Sequence, residues 1–215
     1  MFKQGIDARS YKIYKNLVVM FLLKGATILI GLLLVPLTVD YVKQDDYGVW
    51  LTISSIIGWM AYFDIGINNG LKNKFSEYKA KGDIIKVRQY VSTAYFMLIC
   101  IFIPLMFLLL IANIFIDWNM ILNVQINNMN TTMAILIAYF CINFILSTIN
   151  IVLMADQRPG GASFISFLTQ LASLIIIFVL KQLTGGSLIL LSLALCIPTL
   201  LVILIFNIIL YGGKY

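Results

Sequence analysis

Histidine is absent from this chain of 215 residues, acidic residues number nine, and prolines four. Without histidine, the commonest general base and the commonest neutral metal ligand are both missing. Its three cysteines, Cys100, Cys141 and Cys196, each lie inside an apolar run with no paired spacing of the kind metal or redox motifs use. They read as small buried hydrophobes, so no metal, cofactor or catalytic residue is expected and the enzymatic reading is weak. Charged residues make up only 11% of the chain against 61% hydrophobic ones. That is too little polar surface to cover a water-soluble globule of this size.

What fills the chain instead is six apolar stretches, each long enough to cross a hydrocarbon core of about 30 Å, for which about 20 residues suffice. They fall near 17–39, 47–68, 91–116, 131–154, 162–180 and 188–210. The fold expected is therefore all-α and membrane-integral: a cytoplasmic segment 1–16, a six-helix domain over 17–210, and a tail at 211–215. The first stretch runs on without a small-residue cleavage site, which reads as a retained anchor.

The net charge of +6 arises from cations gathered on one side. Twelve of them (Lys3, Arg9, Lys12, Lys15, Lys72, Lys74, Lys79, Lys81, Lys86, Arg88, Arg158 and Lys214) fall on the side shared by both termini, whereas the opposite loops carry only Lys43 and Lys181. This asymmetry predicts both termini in the cytoplasm and argues against a nucleic-acid patch. The basic loop 71–90 interleaves Leu71, Phe75, Tyr78, Ile85 and Val87 with these cations, predicting a helical extension or interfacial hairpin. Such a loop either attracts anionic lipid or, with Lys72, Lys74 and Arg88, forms a cationic mouth for a phosphate-bearing substrate.

Two charges interrupt the apolar stretches. Lys24 lies about 10 Å beyond the cytoplasmic start of its helix, and Asp64 about 9 Å deep in the returning helix, at 1.5 Å per residue. An ionisable group at that depth requires a partner or a wet cavity. Lys24 either snorkels to the interface, holds a static salt bridge with Asp64, or serves transport. Polar and small residues recur at helical spacing as Lys24, Thr27, Gly31 and Thr38; Ser54, Gly58, Ala61 and Asn68; Tyr139, Asn143, Ser147 and Asn150; and Ser163, Ser166, Gln170 and Ser173. Each stripe alone is ordinary helix-packing glue. Together the four predict a shared polar interior in which Asp64, Asn68, Asn143 and Gln170 meet substrate hydroxyls, while the third span, which has no stripe, faces lipid or packs dry.

The ordered set Val35-Pro36-Leu37, Asp46-Tyr47-Gly48-Val49-Trp50 and Phe63-Asp64-Ile65-Gly66-Ile67-Asn68-Asn69-Gly70-Leu71 resembles bacterial polysaccharide flippases. These are the O-antigen or oligosaccharide exporters of the multidrug/oligosaccharidyl-lipid/polysaccharide superfamily. The resemblance covers about a quarter of the chain and implies one six-helix lobe of a two-lobe transporter in a bacterial inner membrane. It implies translocation of undecaprenyl-diphosphate-linked oligosaccharide by alternating access, with membrane lipids and a second lobe or a homodimer partner around it. In that picture Lys24 attracts diphosphate and Asp64 balances it or exchanges a proton. A multidrug-type exporter, a membrane-embedded polysaccharide-biosynthesis enzyme and an accessory subunit are the rival readings.

Overall fold

A computed structural model describes residues 2–42, 44–60 and 66–213, and their side chains apart from residues 2–13, 45, 57, 60 and 213. Among the described residues the secondary structure is helical throughout: α1 (Phe2–Val42), α2 (Gln44–Met60), α3 (Ile67–Ala80), α4 (Ile84–Phe115), α5 (Trp118–Leu122), α6 (Met129–Leu146), α7 (Thr148–Ala155), α8 (Pro159–Leu183) and α9 (Leu188–Gly213). Among the described residues, five stretches are long and apolar enough to cross a membrane: Tyr14–Val42, Ile84–Phe115, Met129–Ala155, Pro159–Leu183 and Leu188–Gly212. The chain is thus an all-helical protein of multi-pass membrane character.

The second expected span departs from expectation. Instead of one helix over 47–68, α2 is described as far as Met60, and α3 starts at Ile67. Gly66, which precedes α3, has φ +83, a left-handed conformation open to glycine and strained for most other residues. Residues 61–65 lie outside the described ones.

The loop 71–90 is a helical hairpin rather than an irregular connection. Gly82, at φ +76, turns the chain, and the Asp83 carboxylate then caps α4 by accepting from the Lys86 amide at 3.1 Å. Leu71 and Phe75 of α3 close against Val87, Val91 and Ala94 of α4 and against Val152 and Ala155 of α7. Tyr78 and Tyr90 stack across the hairpin with ring centroids 5.2 Å apart.

The fourth expected span is interrupted at Ser147, between α6 and α7. The Ser147 hydroxyl donates to the Phe144 carbonyl at 3.1 Å, a back-bond that bends helices. From α9, the Asn207 amide donates to the Leu146 carbonyl at 3.1 Å, satisfying a group that the interruption leaves outside the helix ladder.

Helix α6 sits centrally, packed on α4 and α9, and its Phe140 and Phe144 meet Phe102 of α4 with centroid separations of 5.9 and 4.2 Å. Helix α1 lies parallel to α8. Asn16 donates to the Gln157 carbonyl at 3.3 Å, Gly31 packs on Gln170, and Lys181 donates to Asp40 at 3.2 Å, so contacts progress in the same direction along both helices. The Tyr41 and Thr184 hydroxyls share a hydrogen bond of 2.8 Å just beyond.

These pairs define the two ends of the bundle. Asp40 and Lys181 mark one; Asn16 and Gln157 mark the other, the basic end, where Asp156 joins Lys79 of α3. Large apolar side chains line the outside, including Leu22, Leu29 and Leu32 of α1 and Phe107, Leu108 and Ile111 of α4. Cys141 and Cys196 are buried as expected, but Cys100 is on the exposed face of α4, so its apolar surroundings are whatever covers the helix.

Candidate functional site

Lys24 borders a cavity of about 410 Å³ where α1, α7 and α8 meet. Thr27 and Ile28 of α1, Asn150 of α7, and Ser163 and Ser166 of α8 share its wall. Parallel packing of α1 on α8 brings these stripes together, since residues recurring every three or four positions stay on one helix face. Lys24 itself is exposed and makes no ion pair among the described residues. Asp64, and with it the expected Lys24–Asp64 pair, lies outside the described residues.

Several of the hydroxyls serve their own helices. Thr27 donates to the Leu23 carbonyl at 2.8 Å, Thr38 to Leu34 at 2.6 Å, and Ser166 to Ala162 at 3.2 Å. The Asn150 carbonyl oxygen, in contrast, is buried without a hydrogen-bond partner. An amide oxygen in that state costs free energy until a donor reaches it. Beside Lys24, the cavity therefore combines a cation with an unsatisfied acceptor, a pair suited to a ligand carrying both anionic and hydroxyl groups.

Asn143 belongs to a different cavity, of about 310 Å³, between α2, α6 and α9, with Trp50, Ser54, Gly58, Tyr139 and Cys196. Its carbonyl oxygen is likewise buried and unpaired. Gln170 lines neither space; its amide nitrogen would lie 3.1 Å from a Cβ placed on Gly31, so it fills the crossing of α1 and α8. Asn68 is buried at the start of α3, again with an unpaired carbonyl oxygen. Lys24, Asn143, Gln170 and Asn68 thus occupy separate places, and the polar stripes open into two cavities.

At the basic end, one of the three cations of the expected mouth, Lys74, is paired with an acid. Lys74 and Lys81 donate to Glu77 at 3.0 and 2.6 Å. Hydrogen bonds from Lys81 first and Lys74 second pull the Glu77 carboxyl down to about 2, and the same contacts raise both lysines. Lys72 and Arg88 are exposed and form no ion pair among the described residues. Arg88 lines a third cavity, of about 420 Å³, between α4 and α9.

Two polar clusters escaped the sequence reading. The Asp156 carboxylate, with only 2% of its side chain exposed, binds Lys79 of α3 and accepts from Arg158 Nε at 3.1 Å. In sequence it stands in a turn, where an acid is unremarkable. Asn207, buried in α9, accepts from the Tyr95 hydroxyl at 2.6 Å, and the Tyr211 hydroxyl donates to that of Tyr95 at 3.3 Å. Its isolation as an amide inside the last apolar stretch was the available signal. Among the described residues, no three His, Cys, Asp or Glu side chains converge as a metal site would require. No protein-family model matches this chain, and neither a curated protein nor a solved structure matches it.

Proposed function

We propose that this chain is a membrane transporter of the flippase kind. It moves an undecaprenyl-diphosphate-linked oligosaccharide from the cytoplasmic to the periplasmic leaflet of a bacterial inner membrane, in polysaccharide or lipopolysaccharide assembly. The observation carrying this reading is the Lys24 cavity, which joins a cation to Asn150, Ser163 and Ser166 well inside the apolar length of α1. Lys24 stands eight residues past Asn16, about 12 Å along the helix, and a charge held at that depth is characteristic of a substrate path. A cation facing hydroxyl and amide groups suits diphosphate followed by sugar, and favours it over the cationic cargo of a multidrug exporter.

A six-crossing arrangement with both termini cytoplasmic accords with the two ends of the bundle. Gln44 follows the Asp40–Lys181 end and Lys79 lies at the opposite end, which supports a further crossing between them, with the left-handed Gly66 setting α3 off from α2. Interrupted helices are tolerated at membrane depth where they line a cavity, and they recur at transporter binding sites. Lys24, Ile28 and Met154 around the cavity are exposed, which favours a second lobe or a second copy facing it.

Purified protein in liposomes carrying a fluorescent polyprenyl-diphosphate oligosaccharide tests the proposal. Quenching from outside should report transfer well above that of protein-free vesicles. Lys24→Ala should slow it at least tenfold, and Lys24→Arg should retain most of the rate. Transfer no faster than in empty vesicles, or a full rate in Lys24→Ala, would overturn the reading.

A further inference from the structure

The cavity between α4 and α9 is separate from that of Lys24, and its shape has a direction. Arg88, Ser92, Tyr95, Phe96 and Ile99 line it at helical spacing along α4, from the basic end inward for about 16 Å. Helices α4 and α9 both pack on α6 and meet across this groove through the Tyr95, Asn207 and Tyr211 hydrogen bonds. The groove therefore has a cation at its mouth, a polar floor of hydroxyl and amide groups below, and an apolar interior beyond.

We infer that this groove binds an anionic phospholipid of the surrounding bilayer, with the phosphate at Arg88 and Ser92 and one acyl chain along Phe96 and Ile99. Charge complementarity selects this occupant. Arg88 has no ion-pair partner among the described residues, unlike Lys74, Lys79, Lys81 and Lys86 around it. Its guanidinium presents a planar fork that matches phosphate oxygens. Ser92 lies one turn along on the same face, is exposed, and makes no hydrogen bond to another described residue, which leaves a hydroxyl to complete the anion contact. The aromatic and aliphatic walls at Phe96 and Ile99 are both exposed and face hydrocarbon once the helix is in a bilayer. Basic pockets between membrane helices are a recognised form of headgroup site. The site stands apart from the transport proposal and holds whether or not the chain moves lipid-linked sugar.

Native mass spectrometry of the purified full chain, titrated with phosphatidylglycerol or phosphatidylcholine, tests it. Phosphatidylglycerol should give a saturable one-to-one adduct, at least fivefold more populated than the phosphatidylcholine adduct at equal concentration. Arg88→Gln should reduce that adduct at least fivefold, and so should Ser92→Trp, which fills the groove without changing charge. Lys86→Gln, which removes a neighbouring charge outside the groove, should leave it within twofold. Equal adducts with the two lipids, an unchanged adduct in Arg88→Gln or Ser92→Trp, or an equal loss in Lys86→Gln would overturn the inference. Stronger competition by a polyprenyl diphosphate than by phosphatidylglycerol would also overturn it, assigning the groove to substrate instead.

Discussion

Asp156 is the described acid with the least exposed side chain among the ion pairs, and it joins three elements: its own position after α7, Lys79 of α3 and Arg158 before α8. Its two partners keep 41% and 32% of their side chains exposed, so they rehydrate when the carboxylate is removed. Asp156→Asn should therefore cost about 1–2 kcal/mol, below the 3–5 typical when a fully buried charge is stranded. Thermal unfolding in detergent measures it. Glu77 makes a different prediction because it is solvated and its carboxyl lies at about 2, below its ordinary 4.5. The ion pairs with Lys74 and Lys81 then support the hairpin in full above about pH 4.5, and that support is lost as the pH falls toward about 2. Glu77→Gln should flatten the dependence of melting temperature on pH between 5 and 3. A wild-type curve unchanged by the substitution would show that solvent screening cancels the pairs.

At the scale of the element, the α8–α9 turn offers a paired test. Gly186 has φ +79 and lies against the Tyr41 backbone so closely that an added Cβ would strike the carbonyl oxygen, whereas a Cβ on Gly185 meets nothing within 4 Å. Gly186→Ala should destabilise by about 2 kcal/mol or more, from the left-handed penalty plus the displaced α1 terminus, with Gly185→Ala near neutral. Comparative melting of the two variants decides this. Such neighbours show what hydropathy can and cannot convey. Apolar length made the spans of α1, α4, α8 and α9 legible, and the alternation of cations with Leu71, Phe75 and Val87 made the basic hairpin legible as well. The interruption at Ser147 was not, since it depends on Asn207, sixty positions away, reaching Leu146 from another helix, which leaves no mark on a periodic pattern. The break ahead of α3 falls at Gly66, whose left-handed backbone is open to glycine, so the residue type itself was the available signal there. The polar stripes were readable as stripes, yet which of them share a cavity follows from the choice of α8, rather than α2, as the principal neighbour of α1.

On the scale of the whole molecule, the parallel pairing of α1 with α8 joins parts of the chain that are made far apart. Asn16 and Gln157 are 141 residues apart in sequence, as are Asp40 and Lys181. At about 5–20 residues per second, the ribosome needs roughly 7–30 s to make that intervening length. Throughout that interval the face of α1 carrying Lys24, Thr27 and Gly31 lacks the helix against which it will rest. A lysine entering hydrocarbon without its neighbours is costly, so the nascent first helix has reason to remain near water or in the care of the insertion machinery until α8 emerges. The same architecture that gathers the polar groups around Lys24 thus makes time, as well as sequence, a condition of assembly.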